Sequence, residues 1–279
     1  MSTPSVIWVD GECASSLPLP DRGLEFGDGL FETLLLEHGE PLYLDLHWQR
    51  LERGLQVLGF PHCLPEVDAR FRTALDELLA RGWSRGLMRI TVTRGGGPRG
   101  YAPPPEASVR IVVSATELLG AGEDTVSPAA LVVAQSRWGS QPQLAGIKHC
   151  NRLEQVLAAA EKQRAGADEA LMLGQGGQLV SVTAGNLFLR LGNELHTPSL
   201  EECGIAGTRR RLLMERWAPA IGVTVRESRL EWSDLESARE VFYSNSRWGL
   251  RPVSGLGELR WASQEIYRAL YRQYRGDRA

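Results

Sequence analysis

The chain has 279 residues, 43% hydrophobic and 23% charged, enough apolar material for one large or two ordinary folded domains; disordered and fibrous classes are excluded. The formal net charge is -3 and no run of Lys or Arg is long enough to track a phosphate backbone, so a small-molecule substrate is expected and nucleic acid is not. The first residues, MSTPSVIWVDGE, lack a basic stretch followed by an apolar run, and no later segment could span a bilayer; a cytoplasmic protein without a membrane partner is expected.

In chain order, Val6 to Val9 reads as a strand, and Phe31 to Glu37 as another that turns at His38-Gly39 into a second extended arm, Pro41 to Leu44. Leu51, Leu55 and Leu58 recur at helical spacing, as do Val67, Phe71, Leu75, Leu78 and Leu79, before strands at Leu87 to Thr93 and Val109 to Val113. Periodicity fades in ELLGAGEDTVS. We place an amino-terminal domain at 1–116, a linker at 117–126 and a carboxy-terminal domain at 127–279. The second domain is expected to hold strands at Ala130 to Gln135, Glu169 to Leu173, Leu179 to Val182 and Leu187 to Arg190. Its helices are expected at Arg152 to Gln163, Thr208 to Trp217 and Ala262 to Tyr271. Both halves mix α and β.

Cys13, Cys63, Cys150 and Cys203 are widely spaced, without CxxC, and are read as buried thiols. The histidines show no HxxxH or HExxH pairing, so no metal is expected. Among the 31 Lys plus Arg residues the only lysines are Lys148 and Lys162. Lys162 sits toward a helix end, where a charged side chain is ordinarily solvated. Lys148 stands between an apolar Gly-Ile approach and a helix start. By position alone it suits a surface lysine; in a partly desolvated pocket its neutral amine could form a Schiff base with an aldehyde.

The segment GIKHCNRLEQVLAA resembles the Schiff-base lysine segment of the aminodeoxychorismate lyases, a branch of the class IV (fold-type IV, branched-chain-aminotransferase-like) pyridoxal-phosphate enzymes. Further landmarks of that class stand in order along nearly the whole chain: DRGLEFGDGLFET, HWQRL, TRGGGPRGY, AGNLF, GIAGTRR and EVFYSNSRWGLRPV. The resemblance implies a two-domain mixed α/β fold with the active site between the domains, a homodimer, and pyridoxal 5'-phosphate held by Lys148.

It also implies roles for other residues. Arg50 is the charged partner of the cofactor phosphate, for which a guanidinium fork is suited; taken alone it reads as a solvated helix arginine. Gly207 lets the chain approach the phosphate while the amides of Thr208 and Arg209 open a helix, although the same residues also fit a plain glycine turn. Ser246 adds a hydroxyl or amide, or is a simple turn serine. Arg99 and Tyr101, in the Arg-Gly-Tyr loop, are placed to meet a substrate carboxylate, or form a flexible surface loop. Thr33 falls where the family has hydroxyl residues close to the substrate.

One position departs from the family. A carboxylate usually stands five residues before the Asn of the xNLF strand and pairs with the protonated pyridine nitrogen; here LVSVTAGNLF puts Ser181 there. A serine hydrogen-bonds a neutral nitrogen, so the cofactor becomes a weaker electron sink and transamination suffers most. Elimination that ends in an aromatic ring tolerates the change better. The expected activity is a lyase that converts 4-amino-4-deoxychorismate to 4-aminobenzoate and pyruvate, a step toward folate. The alternatives are a class IV aminotransferase acting on branched-chain or D-amino acids, and a non-catalytic descendant of the fold.

Overall fold

In the computed structural model, residues 5–119 and 126–278 are described. The chain divides into two compact units, Met1–Gly122 with Ile147–Asn151, and Glu123–Gly146 with Arg152–Ala279. The expected linker falls largely on residues 120–125, outside the described residues. Among the described residues no helix is long and apolar enough to cross a membrane.

The strands of the first unit are β1 (Ser5–Val9), β2 (Glu12–Cys13), β3 (Gly29–Glu37), β4 (Glu40–Pro41), β5 (Arg85–Thr93) and β6 (Arg110–Glu117). They form an antiparallel six-stranded sheet in the order β2-β1-β6-β5-β3-β4. Helix α1 (Arg22–Phe26) precedes β3, and α2 (Leu44–Val57) and α3 (Leu64–Ala80) lie between β4 and β5. His38 and Gly39, both at positive φ (52° and 81°), form the two-residue turn that hairpins favour. The returning arm is shorter than expected: β4 ends at Pro41, Tyr43 takes a left-handed φ of 59°, and Leu44 begins α2 instead of ending a strand. Helical amphipathy in LDLHWQRL outweighs strand continuation, because it lets Leu51 and Leu55 bury beside β3. On α3, Val67, Phe71, Leu75 and Leu78 are buried, whereas Leu79 lies at the edge of the stripe and is 41% exposed.

The strands of the second unit are β7 (Ala129–Val133), β8 (Glu169–Leu173), β9 (Leu179–Val182), β10 (Asn186–Leu191), β11 (Glu194–Pro198), β12 (Val225–Ser228), β13 (Glu240–Asn245), β14 (Gly249–Leu256) and β15 (Leu259–Arg260). They form a mixed nine-stranded sheet in the order β12-β11-β10-β13-β14-β7-β8-β9, with β15 beside β14. β7 and β8 pair in parallel, and their connection contains α4 (Leu153–Arg164), as a parallel pair requires a crossover. The expected helix at 208–217 is α5 (Thr208–Leu212) followed by a π-turn, Leu213–Trp217, and α6 (Ala218–Ala220). The widened ladder, with Ala218 N–H donating to Leu213 O, immediately precedes Pro219, which has no N–H to continue regular pairing. After α7 (Trp232–Ser237), the last helix α8 (Glu265–Gly276) starts three residues later than expected at Ala262. The buried Glu240 carboxylate accepts from the Ile266 and Tyr267 N–H groups and fixes that start.

Two side-chain expectations are corrected. Cys63 and Cys203 are buried, but Cys13, on the short edge strand β2, is exposed, and Cys150 is half-buried. Burial, with Glu202 and Glu154 adding to it, pushes the Cys203 thiol up to about 11. Lys162 is not simply solvated: its Nζ reaches Glu169 Oε1 at 3.3 Å and the Asp168 carbonyl at 3.2 Å.

Candidate active site

In the first unit, Ile147–Asn151 lies along the beginning of β3 as a short antiparallel segment. Phe31 N–H donates to Lys148 O, and Cys150 N–H to Gly29 O, both at 2.9 Å, while Leu30 faces His149. Asn151 Nδ2 donates to Gly27 O at 3.1 Å. The lysine backbone is thus fixed by a strand ladder made through main-chain atoms. Lys148 Nζ stands 4.0 Å from the centroid of the Phe31 ring, and the Arg89 guanidinium carbon stands 3.7 Å from the same centroid. Thr33, half-buried and two residues beyond Phe31, shares that face by strand alternation and stands opposite Arg89 in register.

The intervening Glu32 points to the other face and meets α2. There His47 and Arg50, one helical turn apart, converge on it: His47 Nδ1 lies 2.6 Å from Oε2, and Arg50 donates from Nε to Oε1 at 2.7 Å and from Nη2 to Oε2 at 2.5 Å. Burial alone would raise this carboxyl. The charges and hydrogen bonds of Arg50 and His47 outweigh it and bring Glu32 from its ordinary 4.5 down to about 2. Arg50 is therefore no solvated helix arginine; its side chain is 9% exposed and oriented by a carboxylate fork.

The Arg99–Tyr101 loop is exposed at its side chains, with Tyr101 86% exposed and edge-on to Phe26 at 5.4 Å between centroids. Its backbone is anchored. Buried Arg22 donates Nη1 to Gly100 O at 3.0 Å and Nη2 to Tyr101 O at 2.8 Å, with Nε on Asp28 Oδ2 at 2.9 Å. Arg94 in the same motif also binds Asp28 Oδ2, at 2.8 Å, and reaches the Leu58 and Gly59 carbonyls.

In the second unit, AGNLF and GIAGTRR meet. Asn186, the first residue of β10, donates Nδ2 to Ile205 O at 2.8 Å, and a Cβ on Gly207 would stand 2.0 Å from Asn186 Oδ1. Gly207 has an ordinary φ of -63°, so its requirement is space. It is the N-cap of α5 and, having no side chain, supplies no side-chain cap. Both residues are buried, and Arg209 Nη1 donates to Thr208 Oγ1 at 3.1 Å.

Ser181, on β9, is buried, and its Oγ accepts from Trp138 Nε1 at 3.0 Å. Ser246 is half-buried in the turn between β13 and β14, where Asn245 Oδ1 accepts from Trp248 N–H and Asn245 Nδ2 reaches the Ala184 carbonyl. The neighbouring Ser244 Oγ is buried without a protein hydrogen bond among the described residues.

Glu32, His47, Arg89 and Trp138 were not singled out as site residues from sequence. Glu32 carries a usable signal, an acid inside the apolar run LFETLLL, because a buried charge demands a partner. Trp138 carries none, as its partner is 43 residues away.

The family model described as amino-transferase class IV matches residues 29–256. The chain is 34% identical over 258 residues to the aminodeoxychorismate lyase of Vibrio harveyi, covering 90% of this chain and 91% of that one. A crystal structure of 4-amino-4-deoxychorismate lyase from Pseudomonas aeruginosa superposes with a TM-score of 0.85 at 41% identity, over 97% of this chain and 98% of that one. A hypothetical aminotransferase from Mycobacterium tuberculosis, solved in its PLP-bound form, shares the fold at TM-score 0.81 and 18% identity, over 98% of each chain. With the fold-type IV architecture and the motif residues in these positions, the chain belongs to the class IV amino-transferase family.

Proposed function

We propose that this protein is a pyridoxal-phosphate-dependent aminodeoxychorismate lyase, converting 4-amino-4-deoxychorismate to 4-aminobenzoate and pyruvate in folate biosynthesis. The observation that carries the reading is near-full-length similarity to two proteins of that name, at 34% and 41% identity. The residues fit the cofactor. Gly207 has room for no Cβ, the α5 amides carry no side-chain cap, and an anionic phosphate suits such a terminus. Thr208, Arg209 and Ser246 hold that phosphate, with Arg50 as its charged partner, and Ser181 meets the pyridine nitrogen.

Bound pyridoxal phosphate supplies an aldehyde that captures an amine and a ring that accepts electrons from the bond being broken. Lys148 is the residue that would hold the cofactor, and once freed its Nζ would remove the substrate ring proton and return a proton to the departing enolpyruvate. The Phe31 ring, with Lys148 Nζ 4.0 Å and the Arg89 guanidinium carbon 3.7 Å from its centroid, gives the amine an apolar wall to pack against. Thr33 lines the same face. Arg99 and Tyr101 bind substrate, Arg99 through a carboxylate, on a loop whose backbone Arg22 holds.

The reading includes a homodimer, supported by the exposed apolar residues Leu153, Val156 and Leu157 at helical spacing on α4. Sedimentation of the purified protein tests it.

The deciding experiment measures pyruvate release from freshly generated aminodeoxychorismate with no amino acceptor present. The wild type is expected to release pyruvate and Lys148→Ala none above background, while the Lys148 ladder, made through backbone atoms, keeps the variant folded. Substantial release by the variant would sink the assignment of Lys148. Turnover only when a 2-oxo acid is supplied would instead favour a class IV aminotransferase.

A further inference from the structure

Trp138 is fixed before it meets Ser181. Its backbone N–H donates to Leu173 O at 3.0 Å, its backbone bridges Gly174 in parallel, and the Arg152 guanidinium lies 5.4 Å from its ring centroid. Both partners are enclosed, Trp138 at 6% exposure and Ser181 at 5%. An indole N–H can only donate, so the direction of the 3.0 Å bond is set: Ser181 Oγ accepts. The hydroxyl hydrogen is then left to donate elsewhere, and an oxygen that already accepts one hydrogen bond is polarised into a stronger donor.

We propose that Trp138 is a positioning residue which turns the Ser181 hydroxyl into a committed donor for an acceptor-only atom, the unprotonated ring nitrogen of pyridoxal phosphate. The proposal rests on the reading that this nitrogen faces Ser181. A protonated nitrogen would require Oγ to accept twice, beside the positive end of the indole dipole and with the Arg152 guanidinium 5.4 Å from that ring's centroid. Among the described residues no carboxylate is hydrogen-bonded to Ser181 or Trp138, so a buried pyridinium would have no counter-charge there. Recognition of the neutral ring is therefore a property of the pair; a serine alone could equally have accepted from a pyridinium.

The test uses holoenzyme loaded with pyridoxal phosphate carrying ¹⁵N at the ring nitrogen. The wild-type resonance is expected at the position of an unprotonated, hydrogen-bonded pyridine. Ser181→Ala should move it downfield, toward a nitrogen without a hydrogen bond, and Trp138→Phe should move it part of the way in the same direction. Ser181→Glu should move it far upfield, to the pyridinium position. A pyridinium signal in the wild type would overturn the proposal. So would a Trp138→Phe signal identical to wild type when Ser181→Ala has moved; the placement of the ring nitrogen would then survive alone. An unmoved signal in Ser181→Ala would sink that placement and the proposal with it. If Trp138→Phe does not fold, the indole N–H resonance that Ser181→Ala displaces is followed in otherwise unaltered protein. It should shift when cofactor is loaded, and an unmoved indole overturns the proposal. None of these readouts depends on which amine substrate the enzyme turns over.

Discussion

The two units treat their buried polar groups differently around the candidate residues. In the first, full charges answer one another: Glu32 is gripped by Arg50 and His47, and Asp28 by Arg22 and Arg94. In the second, the Gly207 turn and Ser181 present backbone amides and a hydroxyl, arranged by the neutral side chains of Asn186 and Trp138. Paired charges hold a side chain in one orientation whether or not a ligand is bound. A neutral donor is cheap to hold without a ligand and gains a hydrogen bond when an acceptor is placed against it. The difference separates residues whose loss should first reduce stability from those whose loss should first reduce binding.

The largest expected effect breaks the charged side of that comparison. Glu32→Ala leaves Arg50 and His47 without their carboxylate and should destabilise the protein by about 3–5 kcal/mol, measured by chemical denaturation. The same pair sets a pH dependence. Because the folded carboxyl titrates near 2 and the ordinary value is 4.5, its stabilisation is complete above about pH 4.5 and is lost as the pH falls toward 2. The wild-type melting temperature should fall more steeply through that window than that of Glu32→Gln. Parallel curves would show that the fork contributes nothing specific.

Next in size is a substitution on the neutral side. Gly207→Ala places a Cβ 2.0 Å from Asn186 Oδ1, and relieving that overlap costs about 1–3 kcal/mol of packing. If the strain is taken up at the start of α5, it should appear as weaker binding of pyridoxal phosphate, on the order of tenfold to a hundredfold. Cofactor titration followed by absorbance reads the change. A loss of apoprotein stability with unchanged cofactor affinity would mean that the turn is structural only.

Why some of this was legible in sequence and some was not follows from the range of the interactions. Lys148 stands out because lysines are scarce and its motif is contiguous. β8 and β9 span the segments expected, Glu169–Leu173 and Leu179–Val182, because each centres on a short run of buried apolar residues. α8 begins where a carboxylate 26 residues upstream caps it, which no local pattern announces. The strand arm expected as far as Leu44 yields at Tyr43 because a helix there buries more apolar surface. Glu32 is visible as an acid in an apolar strand, but its partners lie on the following helix. Ser181 is visible only as a departure, and the side chain that gives it direction comes from a distant segment.

The smallest effect sharpens the comparison by carrying a charge across it. Ser181→Glu introduces a carboxylate beside Trp138, whose N–H can donate to it but cannot neutralise it. In apoprotein the buried carboxyl should take up a proton, and the polar group left there should lower stability by about 1–2 kcal/mol. Loaded cofactor changes the balance, because its ring nitrogen can hold a proton and pair with the new carboxylate. The stability deficit should therefore shrink on loading, and cofactor should raise the melting temperature of Ser181→Glu more than that of the wild type. With a stronger electron sink, transaminase turnover should rise relative to lyase turnover, whose aromatic product already supplies driving force. If cofactor stabilises both proteins equally and the two activities change in proportion, the ring nitrogen does not face residue 181, and the neutral character of this region has another purpose.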